Sequence, residues 1–137
     1  MVHVALALLL AFTGDGPNNK ALDYEAAFAK ADKEKKPLVI LVGAKWCASC
    51  QVMKRDTIEP MSETGELEGV VVTYVDKDER PELAGQLMKG ETLPQIIMFA
   101  KEEKSWKRFS LTGMQSRKRM VELLGKADAV RPARLLR

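Results

Sequence analysis

The feature that most constrains this chain is a set of three short, almost purely apolar runs. They are LVILV (38–42), VVVTYV (70–75) and PQIIMFA (94–100), each bounded by charged or turn-forming residues. A strand with one wet face alternates apolar and polar side chains. A continuous run instead reads as a strand covered on both faces. The chain must therefore supply helices for two sides of one sheet.

The intervening segments fit that demand. YEAAFAKADKEKK (24–36) places Leu22, Ala26 and Ala29 near helical spacing, pairs Tyr24 with Phe28 at i,i+4, and stops at Pro37. QVMKRDTIE is helical in character up to Pro60, and MSETGELEG (61–69) reads as a polar loop. RPELAGQLMKG (80–90) is a short helix with Pro81 in its first turn and Gly90 at its end. SWKRFSLTG (105–113) alternates as a half-buried strand does, and QSRKRMVELLGKA (115–127) closes as a helix with Ser116 as candidate N-cap. KEEK (101–104) is short enough for a hairpin, so the last two strands form an antiparallel pair. The expectation is an α/β fold: a four-stranded mixed sheet, parallel strands at its centre, helices on both faces.

A length of 137 residues suits one domain, and 46% hydrophobic with 30% charged residues is an ordinary soluble composition that does not suggest disorder. The net charge of +3 is too small to argue for nucleic acid. Residues 101–137 do carry 11 Lys/Arg against 4 Asp/Glu. No aromatics interleave with the arginines of the 128–137 tail, so no base-stacking platform is indicated. A solvated helix face and a frayed end are the plain reading of this basic stretch.

Residues 2–12, VHVALALLLAF, form an apolar leader too short for a bilayer, which needs roughly 20 residues. The length fits the apolar region of a secretory signal, and TGDGPNN breaks it. Against that stand the lack of Lys or Arg before the run and a Thr where a small residue belongs at the cleavage site. A buried N-terminal element is the other reading. Residues 1–16 are assigned as a signal peptide or apolar leader, which implies a periplasmic or secreted protein, otherwise a cytoplasmic one. Membrane contact is expected only through an uncleaved leader.

AKWCASCQVM (44–53) holds the only two cysteines. Cys47 falls where the first apolar strand turns into a helix, so its sulfur lies by the free N–H groups of the first turn, which favour thiolate. Cys50 is three residues on. A disulfide between them closes a very small ring and gains little from loop closure, so the pair makes a poor staple but a suitable reversible dithiol. Zinc needs about four ligands, and the one histidine, His3, sits in the leader. Haem attachment needs a histidine after the second cysteine, where Gln51 stands. A zinc site shared between two copies, a structural disulfide and unused thiols remain open beside the redox pair.

KPLVILVGAKWCASC resembles the active-site strand and turn of the thioredoxin superfamily. ETLPQIIMF resembles the strand that begins at the family's cis-proline, and SLTGMQSRKRMVELL its glycine turn and closing helix. The likeness covers about residues 20–127 and is closest to exported thioredoxin-like proteins and the C-terminal domain of periplasmic thiol:disulfide interchange reductases. It implies Cys47 as nucleophile, Cys50 as resolving thiol, Trp46 packed beside the site and Pro94 as the cis-proline. It also implies that the backbone of Leu93 pairs with an extended substrate, and that Gly113 lets the neighbouring loop approach. The chain departs from the pattern in three places. Ala48-Ser49 separates the cysteines in place of Gly-Pro. Leu41 replaces a buried Asp six residues before Cys47, and Lys45 stands where acidic residues are frequent. Leu41 and Lys45 are therefore expected to tune the Cys47 pKa downward.

The implied function is thiol:disulfide exchange with protein substrates, needing an unidentified thiol electron donor but no metal or organic cofactor, in a monomer that binds no nucleic acid. The alternatives are a non-catalytic thioredoxin-fold peptide-binding module and a lipid-facing or scaffold protein using the basic tail.

Overall fold

The computed structural model describes residues 22–130. The apolar leader (1–16) and the end of the basic tail, from residue 131, lie outside the described residues. Helix α1 (Tyr24–Glu34) leads into strand β1 (Leu38–Gly43). Next come α2 (Ala48–Met53), a π-helical turn (Lys54–Ile58) and α3 (Glu59–Glu63). Strand β2 (Val71–Asp76), helix α4 (Pro81–Leu87), the hairpin β3 (Gln95–Glu102)–β4 (Ser105–Thr112) and helix α5 (Arg117–Val130) complete the order.

The sheet order is β2-β1-β3-β4. Strand β1 pairs with β2 in parallel and with β3 antiparallel, and β3 pairs with β4 antiparallel. The sheet is therefore mixed and four-stranded, but its central pair, β1 with β3, is antiparallel rather than parallel. An unbroken apolar run reports burial on both faces; it carries no information about strand direction, which the path of the connection decides.

The burial follows the runs in β1 and β3; β2, at the edge of the sheet, instead alternates, with Val71, Thr73 and Val75 buried and Val72 and Tyr74 half-buried. Along β1, Leu38, Ile40 and Val42 pack with Ala27 and Ala31 of α1 and with Ala84 and Leu87 of α4. Val39 and Leu41 point the other way, onto Met53, Ile58 and Met61 and the Met120 and Leu123 side of α5. Alternate residues of one strand thus enter two cores. Each fully buried aliphatic side chain contributes about 1.5–3 kcal/mol, which is why the sheet needs both helical layers.

Helix ends obey local chemistry. The Asp23 carboxylate accepts the Ala26 N–H at 2.9 Å and caps α1. Ser116 Oγ accepts the Arg119 N–H at 3.3 Å at the start of α5, the role expected for it. The stretch around Pro60 differs from expectation. Pro60 does not end the helix; it sits in the first turn of α3, where its missing N–H breaks no bond. The preceding π turn, closed by Glu59 N–H to Lys54 O, carries the chain into that new start. Met61, in what reads as a polar loop, is consequently fully buried. Among the described residues no helix is long and apolar enough to cross a membrane.

Candidate active site

Strand β1 ends at Gly43, and the turn that follows delivers Cys47 to the start of α2. Cys47 has extended backbone angles, φ −80° and ψ 100°, and its Sγ accepts the Cys50 N–H at 3.2 Å, so the sulfur is itself the N-cap. The two cysteines form a disulfide with a Cα–Cα distance of 5.3 Å. Both are buried, at 6% and 4% exposure. Ser49 Oγ lies 3.4 Å from Cys47 Sγ. A disulfide sulfur has no proton, so the hydroxyl is the donor. Two donors thus converge on Cys47, and hydrogen bonds to a sulfur favour its anionic form once the disulfide is opened.

Cys50 lies against the end of β1. A Cβ at Gly43 would sit 3.1 Å from both Cβ and Sγ of Cys50. Glycine there is a condition of close approach between helix and strand.

The loop before β3 closes the other side. Leu93 packs on Ala44, Cys47 and Cys50, and the Leu93–Pro94 peptide bond is cis. Pro94 O accepts the Gly113 N–H at 2.8 Å, which joins this loop to the turn before α5. Gly113 adopts φ +83°, yet a Cβ there would meet nothing within 4 Å. Its glycine answers to backbone angle, not to the close loop approach the resemblance implies. Gln95, buried at 1% exposure, anchors the loop from below: its Oε1 accepts the Lys89 N–H at 3.0 Å and its Nε2 donates to Lys89 O at 2.8 Å.

An acidic turn forms the third side. Asp76 Oδ1 accepts the N–H groups of Asp78, at 2.8 Å, and Glu79, at 3.1 Å. Trp46 is 68% exposed, not packed, and its Nε1 donates to Asp78 Oδ2 at 2.6 Å. Lys45 Nζ pairs with Glu79 at 2.5 Å, and this carboxylate, aided by Asp76, holds the Lys45 pKa above the ordinary lysine value. The Lys45 charge is thus engaged by carboxylates at the surface. Leu41 is buried at 4% exposure beneath the pair and lines a cavity of about 100 Å³ with Gly43, Cys50, Lys54, Tyr74 and Asp76. Lys54 Nζ lies 4.5 Å above the Tyr74 ring centre. Burial, with the negative charge of Glu59 adding to it, pushes the Tyr74 hydroxyl up to about 12.

The fold therefore gathers Cys47, Cys50, Leu93 and Pro94 around one point, with Gly113 behind Pro94, Leu41 below, and Trp46 and Lys45 on the rim. Sequence reasoning missed Gly43, Ser49, Gln95 and the acidic turn. The turn had a signal: DKDE follows the second buried run, and loops at the carboxyl ends of neighbouring parallel strands converge.

The family profile described as Thioredoxin-like matches residues 18–101, well over half of the sequence. The chain belongs to the thioredoxin-like family. Chloroplastic thioredoxin z is 23% identical, with a TM-score of 0.64 over 80% of this chain and 93% of its own. A thioredoxin from Thermus thermophilus is 22% identical, with a TM-score of 0.66 over 77% and 84%. Trichomonas vaginalis thioredoxin is 19% identical, with a TM-score of 0.61 over 77% and 92%. At these identities the likeness establishes the thioredoxin fold. No curated protein matches the chain in sequence. The fold and the disulfide-bonded CxxC pair together support thiol:disulfide oxidoreductase chemistry.

Proposed function

We propose that this protein is a thiol:disulfide oxidoreductase that exchanges disulfides with protein substrates through Cys47 and Cys50. The observation that carries the reading is the capping of α2 by the Cys47 sulfur. In the dithiol form the same Cys50 N–H, with the Ser49 hydroxyl, serves a Cys47 thiolate. That thiolate attacks a partner disulfide, forms a mixed disulfide and expels one partner thiol. Cys50 then attacks Cys47 Sγ, restores the internal disulfide and releases the second partner thiol. The reverse sequence oxidises a partner. Protein substrates fit the surroundings: exposed Trp46 and Met114 flank the site beside the Leu93–Pro94 loop. The exchange needs no metal or organic cofactor, and a thiol donor regenerates the dithiol.

Insulin reduction in the presence of dithiothreitol tests the activity. A Cys50→Ala variant should accumulate a reductant-sensitive mixed disulfide with partner proteins, and Cys47→Ala far less. Equal trapping by both would overturn the assignment of the nucleophile. Absence of insulin reduction by the wild type would leave a peptide-binding module.

Export through the leader belongs to the same proposal. Fractionated cells expressing the full sequence should hold the protein outside the cytoplasm. Deleting residues 1–14 should leave a folded domain, since α1 starts at Tyr24. An unfolded truncation would make the leader part of the core.

A further inference from the structure

Gly43 on β1 is in register with Asp76 on β2, and Leu41 with Tyr74. Cys50 rests directly on Gly43. Neighbouring strands lie about 4.8 Å apart, so Asp76 stands one strand away from the footing of the Cys50 sulfur. Tyr74 and Asp76, two residues apart, share a face of the sheet. The cavity of about 100 Å³ lies between these side chains, Lys54 and Cys50. One water takes about 30 Å³ of liquid, so the cavity has room for more than one, with polar groups to hold them.

We propose that Asp76 takes the proton from the Cys50 thiol, through water in this cavity, when Cys50 resolves a mixed disulfide at Cys47. The proposal rests on the exchange reading above. A free thiol has a pKa of about 8.5 and burial raises it, so Cys50 enters its step protonated at neutral pH. Only the thiolate attacks, and at 4% exposure Cys50 has little direct access to bulk water. Among the described lining residues Asp76 supplies the one carboxylate. The Tyr74 hydroxyl keeps its own proton, the Lys54 ammonium over the Tyr74 ring has no lone pair, and the Gln51 amide is not basic. The Asp78 and Glu79 N–H groups fix Asp76 Oδ1, while Oδ2 takes no hydrogen bond from the described residues. The charged groups around Asp76 are Lys54 from the helix side, Lys45 from the turn after β1, and Asp78 and Glu79 of its own turn; Glu59 acts on Tyr74.

The step balances. The Cys50 S–H bond breaks and its proton passes through water to the Asp76 carboxylate. The thiolate electron pair forms the Cys47–Cys50 bond as the bond from Cys47 to the partner sulfur breaks. The partner leaves as a thiolate, reduced by the two electrons the dithiol loses, and Asp76 returns its proton to solvent.

The test uses the reduced full chain with one equivalent of dithiobis-nitrobenzoate. The first coloured thiol released reports attack by Cys47, the second attack by Cys50. Asp76→Asn keeps the Oδ1 acceptor of the turn and removes the base. It should lower the ratio of second to first rate by about 100-fold at neutral pH, and the loss should shrink as pH approaches the thiol's own pKa. Asp76→Glu should restore the ratio, and Glu82→Gln, at an exposed carboxylate in the first turn of α4, should leave it unchanged. The wild-type ratio should already be level at neutral pH. A ratio that instead climbs tenfold per pH unit toward about 8.5 overturns the proposal without any variant. So does an unaltered ratio in Asp76→Asn, or an equal fall in Glu82→Gln. If the wild type releases no first thiol, the exchange reading itself fails and takes this step with it.

Discussion

The indole Nε1 of Trp46 donates to Asp78 Oδ2 at 2.6 Å and ties the turn after β1 to the turn after β2. Trp46 is largely exposed, so this bond rather than packing sets the ring's direction. Asp78→Ala should cost about 1 kcal/mol of stability or less, shift tryptophan fluorescence, and raise KM for a protein substrate. The rate with a small disulfide reporter should stay the same. An equal loss with the small reporter would show that Asp78 acts on the sulfurs and not through the indole.

Three substitutions separate the influences on the Cys47 thiolate, each read from the pH dependence of alkylation. Ser49→Ala removes a donor 3.4 Å from the sulfur and should raise the apparent pKa. Leu41→Asp puts a negative charge beneath the pair, disfavours the thiolate and should also raise it. Lys45→Ala should change it little, because Glu79 already engages the Lys45 charge. An unchanged profile in Leu41→Asp would mean that this position is not felt at Cys47.

Gly43→Ala forces a methyl to within 3.1 Å of the Cys50 Cβ and Sγ. Overpacking of this kind costs about 1–3 kcal/mol. Calorimetry should show a lowered Tm in both redox forms. A variant with wild-type Tm would show that the start of α2 gives way freely.

Gln95→Leu fills the same space but leaves the Lys89 N–H and C=O without the amide that serves them. Lys89 is exposed, so water can serve these groups and the loss is that of ordinary hydrogen bonds, about 0.5–1.5 kcal/mol each. The expected result is reduced stability in urea, with faster amide exchange at Lys89 than in wild type. If Lys89 exchange is unaffected, the amide does not hold the loop.

Arg80 makes a two-bond contact with Glu25, at 3.0 and 2.5 Å, and holds the Glu25 carboxyl below its ordinary value. A depressed folded-state pKa contributes stability that is present above the unfolded value, about 4.3, and lost as pH falls through the folded one. Denaturation curves of Arg80→Ala should therefore lose less stability than wild type on acidification below that value. Parallel curves for the two proteins would assign this ion pair no role.

Much of this molecule was legible in its sequence for a simple reason: the signals are local. The unbroken runs 38–42 and 94–100 report burial on both faces, Ser116 caps the helix that follows it, and Cys47 at a strand-to-helix junction reports a sulfur at a helix start. Pro60 misled because a proline's missing N–H ends a helix only where a donor was required, and the π turn placed it where none was. The remainder depends on contacts between residues far apart in the chain. Strand direction at the centre of the sheet, the register of Gly43 with Asp76, the bond from Trp46 to Asp78 and the pairing of Lys45 with Glu79 each join two segments. No periodicity within either segment encodes such a meeting. The sequence by itself determined a two-faced sheet with a dithiol at a helix start. Only the tertiary structure decided which side chains surround that dithiol, because the packing of β1 against β2 and α2 sets their distances.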